Sequence, residues 1–582
     1  MNRAPAIAAR GVPPEFVDRL VASGVHPLLA RVYAARGVTA PAELSSDLAQ
    51  LAAPETMLNL GVMARVLGDA IAARKRLLIV ADYDADGATA CAVGMRALTA
   101  FGAVVDYLVP NRFEYGYGLT PEIVRLAYGR VRPDILITVD NGISSFEGVA
   151  EANRLGMMVL ITDHHLPAPT LPDAACIINP NQAGCGFPSK NLAGVGVMFY
   201  LMIALRAELR DRGWFKENGQ ASGVRREASQ SAEGPNLAEL LPLVALGTVA
   251  DVVPLDSNNR ILVHQGLRRI RAGRAQPGIA ALFQAAGRDH RRATAYDLGF
   301  VAGPRLNAAG RLTDMSLGIE CLVTGDSGRA LAIAAELDRL NRQRREIESD
   351  MQETALAALD GMAPDDACSL SLFDPDWHQG VVGIVAGRIK DRFHRPTVAF
   401  ARGDSGEIRG SGRSIPGLHL RDALDRVAVR HPGLILRFGG HAAAAGLTLR
   451  EPDFGRFRDA FEETARSLLS PGDLRRVVET DGALGLEHFN LETAALLGEE
   501  VWGQGFPAPR FCDEFEVAAQ HVVGDQHLKL SLKRGALLVE GIRFQQAEAM
   551  PPRIRAVYAP LVNEYRGTQS LQLTIEHWEP AA

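Results

Sequence analysis

The chain carries the stretch Asp82-Tyr83-Asp84-Ala85-Asp86-Gly87 directly after an apolar run. Carboxylates at alternate positions of a turn can converge on a hard divalent cation through oxygen, and Gly87 permits a sharp bend into the next element. The same spacing opens a calcium-binding EF-hand loop, but such a loop needs a glutamate at its twelfth position, where this chain has Val93. An isolated motif of this kind also serves to cap the helix that follows. Asp140 in Val139-Asp140-Asn141-Gly142, Asp163-His164-His165 and Asp251 in Gly247-Thr248-Val249-Ala250-Asp251-Val252-Val253-Pro254 likewise follow apolar runs. Each alone reads as a cap or a surface polar group. As a set they would bring so many acids together that charge repulsion and desolvation oppose them unless cations are bound. Carboxylates mixed with imidazole suit manganese or magnesium, with manganese favoured.

Positioning these residues requires a particular architecture. The apolar runs Leu77 to Val80, Val104 to Val109, Ile135 to Val139 and Met158 to Ile161 alternate with helix-compatible segments at Ala88 to Phe101 and Pro121 to Tyr128. That rhythm predicts a parallel α/β sheet buried on both faces. Ligands of such sheets bind beyond the carboxyl ends of the strands, so Asp82, Asp140, Asp163 and His164 are expected on a single rim. Asp211 to Pro235 is polar and non-periodic and reads as an inserted surface loop. Residues 327 to 359 lack Pro and Gly after Gly328 and read as one long helix joining two domains. Glycine-rich motifs between short apolar runs then suggest a second α/β domain. Near the C-terminus, Leu528, Leu530 and Leu532 alternate with Lys529, Ser531 and Lys533, as in half-buried strands of a small barrel.

A length of 582 residues calls for several hydrophobic cores, and 47% apolar with 22% charged residues is an ordinary globular composition. With a formal net charge of −6, any phosphate-binding surface must be a local patch. The 6 cysteines contain no CxxC pair, which argues against a zinc module or a disulfide scaffold and fits a reducing cytoplasm. No long apolar signal core opens the chain, and Val195 to Leu205 and Leu240 to Val249 are too short to span a bilayer, so no membrane segment is expected.

The acidic motifs, the Asp163-His164-His165 triplet and the Gly247 to Pro254 segment resemble the signature motifs of the DHH phosphoesterase family, in the form found in its RecJ branch. The resemblance continues through Gly303 to Arg311, His378 to Gly387, Gly410 to Ser414, Gly439 to Gly446 and Trp502 to Phe511, and no signature acid or histidine is lost. It implies an α/β fold: a helical lead-in over 1–60, a parallel-sheet DHH domain over 61–325, a connecting helix over 326–362, an α/β DHH-associated substrate-binding domain over 363–468 and an OB-like nucleic-acid-binding barrel over 469–582. It also implies a metal-dependent exonuclease that degrades single-stranded DNA 5′ to 3′ to mononucleotides in DNA repair and recombination. Two ions, Mn2+ or Mg2+, would be bound: one by Asp82, Asp84 and Asp140, the other by Asp86, Asp140, His164 and Asp251. Asp163 would orient His164, and His165 would contact the scissile phosphate. A single-strand-binding protein and a RecQ-type helicase are the partners such a family implies.

Other candidates lie outside the acidic set. Arg305, Asn307 and Arg311 stand among Ala and Gly, a composition that admits a ligand or makes a tight inter-domain turn. Ser411 and Arg413 combine a hydroxyl, a guanidinium fork and flanking glycines, a set that can seize a terminal phosphate. By resemblance Arg112 would join them, and His378 and His441 lie in the glycine-rich substrate motifs. Lys529 and Lys533 share a strand face and, with Arg534 and Arg543, can form a local basic groove or be ordinary exposed residues. Arg339, Arg342, Arg344 and Arg345 read as a solvated helix face or a DNA channel. Enzymes of the family that act on short oligonucleotides, cyclic dinucleotides or pyrophosphate lack the C-terminal β region. A ligand-less scaffold branch would have lost acids that are all present here, and alanyl-tRNA editing proteins lack the metal-binding half.

Overall fold

The computed structural model describes the whole chain except residues 1–4, 111–114, 116–117, 217–232, 361–365, 404–405, 566 and 582. Arg112 and most of the expected Asp211 to Pro235 insertion therefore lie outside the described residues. The chain forms two compact units, one of residues 12–341 with 495–508, the other of residues 1–11, 342–494 and 509–582.

The first unit is built on five parallel strands, β1 (Arg76–Ala81), β2 (Val104–Leu108), β3 (Ile135–Val139), β4 (Met158–Thr162) and β5 (Cys176–Ile178), in the spatial order β2-β1-β3-β4-β5. Leu77 to Ala81 and Ile135 to Val139 are buried throughout, as expected of central strands covered on both faces. Helices α1 (Ala85–Phe101), α2 (Pro121–Arg130), α3 (Phe146–Arg154) and α4 (Gly194–Asp211) cover the sheet, and α5 (Leu241–Ala250) packs on α1 and α4. After β1 the chain runs to β2 on one side and then to β3 on the other, so the order reverses between β1 and β3. That is the switch point at which open α/β sheets place their ligands. Ala81 pairs with Val139 and Val139 with Thr162, so the three strands end in register and Asp82, Asp140 and Asp163 leave the sheet at one level. The ladder persists one residue further, with the Asp82 N–H donating to Val139 (3.2 Å) and the Asp140 N–H to Thr162 (3.0 Å).

The lead-in is helical in part. Pro14 and Pro27 open short α-helices and Pro41 and Pro54 open 3-10 turns, each at the first turn, where the missing N–H costs nothing. Ala6–Ala9, by contrast, belongs to the other unit, where it forms a strand parallel to Val477–Thr480. Among the helices that follow the sheet are α6 (Gly303–Leu312) and α7 (Ser327–Asp360), the long helix expected at 326–362. Two arginines of α7 pair along the same helix: Arg339 with Glu336 on a solvated face, and Arg344 with Glu348 in a buried pair that Arg388 joins, so Arg344 departs from the expected solvated face.

In the second unit, β6 (Leu370–Phe373), β7 (Thr397–Arg402), β8 (Glu407–Arg413), β9 (Arg437–Gly440) and β10 (Ala444–Arg450) form a mixed sheet in the order β9-β10-β8-β7-β6. Val398 and Phe400 face a core with Phe457 and Phe461, and Ala399 and Ala401 face one with Trp377 and Val385. The last strands, β11 (Phe511–Val523), β12 (His527–Arg534), β13 (Leu537–Arg543), β14 (Arg553–Tyr565) and β15 (Thr568–Pro580), close a barrel in the order β11-β12-β13-β15-β14. Strands β13 and β15 pair in parallel, as in an OB-type barrel. Leu528, Leu530 and Leu532 are buried inside it and the intervening residues face outward. The Trp502 to Phe511 stretch, expected as the lead-in to the barrel, splits: residues 495–508 pack with the first unit.

Candidate metal centre

Three strand ends and one helix end deliver the acids. After β1, Asp84 caps α1 by accepting the Gly87 N–H (3.0 Å), so capping and ligation are both open to this motif. A Cβ on Gly87 would stand 2.6 Å from the Asp82 carbonyl oxygen, so glycine is required for the bend. Asn307 on α6 accepts the Ala85 N–H (2.8 Å), and a Cβ on Gly310 of the same helix would strike the Tyr83 carbonyl. Helix α6 is thus pressed against the acidic loop, and Asn307 acts here as a brace. The expected alternative of an inter-domain turn at 303–311 is replaced by this helix. Arg305 is buried and pairs with Asp338 (2.7 Å), and Arg311 is half-buried on the same helix.

Asp140 has the left-handed φ of 62°, which aspartate tolerates better than most residues. Gly142 follows at φ 111°, where a Cβ would meet Thr138 Oγ1 at 2.5 Å. Asn141 locks the turn by donating from Nδ2 to the carbonyls of Val139 (2.9 Å) and Val80 (3.1 Å). Gly194 opens α4 against this turn, because a Cβ there would stand 2.7 Å from Asp140 Oδ1. The first two N–H groups of α4, of Gly194 and Val195, donate to the Asp86 carboxylate at 2.6 and 2.9 Å. An anion at a helix N-terminus is stabilised by unpaired N–H groups and by the helix dipole.

Asp163 was expected to orient His164, and it does so only through the backbone. Its Oδ1 accepts the N–H groups of His164 (2.7 Å) and His165 (3.0 Å), and its side chain engages the His165 ring at Nδ1 (2.8 Å). The carbonyls of His164 and His165 are held by Asn181 (2.6 Å) and Asn179 (2.8 Å), which follow β5. A backbone hydrogen bond to Leu192 fixes the His164 ring, leaving Nε2 toward the acids.

Asp251 terminates α5 rather than a strand, and the next residue, β-branched Val252, sits exposed at φ 62°. Strain of this kind persists only where the surroundings hold it. The loop after Asp251 is tied down by Asn259 Nδ2 on the Pro254 carbonyl (3.0 Å), by Asp256 on the Ser189 hydroxyl (2.7 Å), and by the Leu255 N–H on the Gln504 carbonyl (2.7 Å).

His164 Nε2 lies 3.1 Å from Asp140 Oδ1, 3.5 Å from Asp251 Oδ2 and 3.9 Å from Asp86 Oδ2. Asp82, Asp84 and Asp140 bring ligand atoms within 4.8 Å of one another, and so do Asp86, His164 and Asp251. His165 comes within the same reach of Asp140 and His164, but Asp163 engages its Nδ1. Burial holds the His164 imidazole down at about 4, so at neutral pH it is uncharged with a lone pair on Nε2. Burial and then the neighbouring carboxylates push Asp140 and Asp251 well above the usual carboxylate range. Burial and Asp84 push Asp86 up to about 7. Asp140 Oδ1 and His164 Nε2 are both buried without a hydrogen-bond partner, although they face each other. With Asp140 ionised, two acceptors in that position repel, and a divalent cation satisfies both. The residues therefore fit metal ions of the oxygen- and nitrogen-preferring kind.

The remaining expected residues lie in the other unit. Ser411 and Arg413 share one face of β8, and Arg413 Nη1 donates to Ser411 Oγ (3.0 Å) and to the Gly412 carbonyl (2.8 Å). The guanidinium is largely desolvated, which lowers its affinity for its proton, and it has no carboxylate partner among the described residues. Gly383 lets its helix approach both side chains, since a Cβ there would stand 2.9 Å from Ser411 Oγ. His378 is half-buried and caps a turn by accepting the Gly380 N–H; His441 is exposed in the turn between β9 and β10. The expected basic groove on the barrel is largely neutralised. Lys529 pairs with Glu540 (3.1 Å), Lys533 with Glu516 (3.2 Å) and Arg534 with Asp513 (2.8 Å), all on adjoining strands.

Sequence reasoning missed Gly194, Asn141, Asn179 and Asn181 as supports of the centre. The short run Cys176-Ile177-Ile178 ending in Asn179-Pro180-Asn181 was the available sign of a fifth strand end.

Family models match this chain over residues 76–248 (DHH family, N-terminal domain), 366–467 (DHHA1 domain) and 480–577 (RecJ OB domain). The chain is 50% identical over 565 residues to the single-stranded-DNA-specific exonuclease RecJ of Dickeya dadantii, covering 95% of this chain and 96% of that protein. Its fold is similar to crystal structures of RecJ from Thermus thermophilus. The complex with Mn2+ gives a TM-score of 0.79 at 29% identity, covering 99% of this chain and 80% of that one. The complex with Mg2+ gives 0.73 at 28% identity, covering 99% and 78%. Among the described residues no helix is long and apolar enough to cross a membrane.

The raised carboxylates predict how the chain responds to chelation. A folded-state value above the unfolded one stabilises the fold below the ordinary aspartate range, and that contribution is lost as pH rises through the raised value, about 7 for Asp86. Metal then binds ionised acids and removes the repulsion. The gain in Tm on adding Mn2+ to EDTA-treated protein should be larger near about pH 8 than near about pH 6. A gain independent of pH would mean that these carboxylates do not hold the metal.

Proposed function

The chain belongs to the RecJ family of DHH phosphoesterases, and from that premise we propose that it is an exonuclease that degrades single-stranded DNA from the 5′ end to mononucleotides with two divalent cations, Mn2+ or Mg2+. The carrying observation is the buried confrontation of Asp140 Oδ1 and His164 Nε2, where two ligand clusters meet. Asp82, Asp84 and Asp140 would hold one ion and Asp86, Asp140, His164 and Asp251 the other, with Asp140 shared. When bound, the ions supply Lewis-acid charge for the phosphodiester and an activated water.

The chain's own groups do the rest. The N-terminus of α4 keeps the Asp86 carboxylate aimed, and its two N–H groups oppose, without cancelling, the rise that burial imposes. Neutral His164 contributes a lone pair without adding charge. Burial alone would lower His165, but the hydrogen bond and charge of Asp163, followed by Asp82 and Asp84, raise it to about 9. Asp163 therefore favours the cationic form of His165, which stands exposed at the rim, a suitable donor to the scissile phosphate. Asp163 holds it there and is itself kept ionised against burial by that contact.

Direction requires recognition of an end. Ser411 and Arg413 are assigned to the 5′-terminal phosphate, because a desolvated guanidinium without a carboxylate beside a hydroxyl is suited to an anion. Arg112 joins them by resemblance alone. The paired lysines of the barrel remain candidates for a passing strand, since exposed pairs contribute only about 0–1 kcal/mol and exchange readily for phosphate. A single-strand-binding protein and a RecQ-type helicase are proposed partners that would present and unwind the substrate.

Asp140→Ala should abolish hydrolysis of a labelled single strand in Mn2+ while leaving the fold intact, because it removes a crowded buried acid. Asp140→Asn, better suited to the left-handed backbone, should do the same. Near-normal turnover by either variant would refute the shared-ligand assignment. Arg413→Ala should lower kcat/KM on 5′-phosphorylated strands at least about tenfold, since a charge-assisted contact contributes about 1.5–3 kcal/mol. It should also narrow the difference from 5′-hydroxyl strands without changing Mn2+ affinity. Full retention of the 5′-phosphate preference would remove Arg413 from end recognition.

A further inference from the structure

Tyr296 and Phe300 are 62% and 63% exposed, yet their rings stack on each other with centroids 4.6 Å apart and planes 22° from parallel. They stand on Ala295–Asp297 and on the π-helical turn Leu298–Ala302 that leads into α6. Turns of the π type are uncommon and recur at functional sites. This one is seated on the last turn of α5, the helix that ends in Asp251. A Cβ on Gly299 would lie 3.2 Å from Val249 Cγ1, and one on Gly303 would lie 3.1 Å from Ala250 Cβ. The aromatic pair is therefore carried by the element that backs a metal ligand.

The preceding turn is basic. Arg288, Arg291 and Arg292 are all exposed, and the acids between them and the rings are Asp289 and Asp297. Asp289 accepts the Arg291 N–H (2.9 Å), and Asp297 is taken up by the N–H (2.9 Å) and hydroxyl (2.8 Å) of Thr294, so both serve as caps. Exposed rings that follow a cluster of guanidinium groups, in a chain whose net charge is −6, offer the combination of stacking faces and local positive charge by which single-stranded nucleic acid is held without sequence preference. Stacked rings leave outer π-faces for bases, and arginines take the phosphates.

We propose that Tyr296 and Phe300 form a base-stacking platform for single-stranded DNA beside the metal centre, with the arginines of residues 288–292 holding its backbone. The assignment rests on the nuclease reading above and extends it to a substrate subsite. Neither ring is in the core, so both can be replaced without a cavity.

The test uses the full chain in EDTA, which prevents cleavage, and measures binding of a fluorescent oligo-dT and of an abasic strand of equal length by anisotropy. The double variant Tyr296→Ala, Phe300→Ala should bind oligo-dT about fivefold or more weakly and the abasic strand almost as wild type does. Tyr296→Phe with Phe300→Trp should restore oligo-dT binding. Unchanged oligo-dT affinity in the double variant would overturn the platform while leaving the nuclease reading intact, and it would point to a protein partner for the patch. An equal loss on both strands would also overturn it, since bases would then not be involved. If wild-type protein failed to bind or hydrolyse single strands at all, the nuclease reading would fall and the platform with it.

Discussion

Crowding of Asp82, Asp84, Asp86, Asp140 and Asp251 around one uncharged imidazole is the constraint to which the rest of the first unit answers. Left to themselves these groups repel, and burial makes each ionised form costlier. The surrounding structure makes the arrangement tolerable before any ion binds: α4 offers two N–H groups to Asp86, Asn141 locks the Asp140 turn, and Asn179 and Asn181 hold the histidine backbone. None of these contacts reaches the Asp140 oxygen that faces His164. That residual conflict is where a divalent cation supplies what the protein does not.

Strand register explains why the acids meet at all. Because β1, β3 and β4 end in register, Asp82, Asp140 and Asp163 emerge at one height on either side of the switch point. The glycines that follow allow the chain to turn back without covering the rim. Asp251 arrives from α5 instead, so its direction depends on loop contacts more than on sheet geometry, and a strained residue follows it. Gln504, nearly 250 positions later, is among those contacts, which ties the segment just before the barrel to the integrity of the centre.

Much of this was legible in the residues. Runs such as Leu77 to Val80 are apolar throughout, and only strands buried on both faces need that, so the sheet and its acidic rim followed directly. The long helix at 327–360 was equally plain from its composition. What escaped was non-local. The strand at Ala6–Ala9 pairs with residues some 470 positions away, and nothing in Ala-Ile-Ala-Ala marks it as a strand. Strand β5 has three residues, too short for a periodic signal. The choice of His165 rather than His164 as the ring partner of Asp163 is set by ring orientation, which sequence does not encode locally. Lys529 and Lys533 looked available for phosphate because their cross-strand glutamates, Glu540 and Glu516, lie on strands whose pairing only the folded barrel reveals.

The central claim is a pair of ions sharing Asp140, and electron paramagnetic resonance of the full chain titrated with Mn2+ addresses it without reference to turnover. The account predicts two bound Mn2+ per chain at saturation and a spin-coupled signal from neighbouring ions. One ion per chain, or two that remain magnetically isolated, would contradict it.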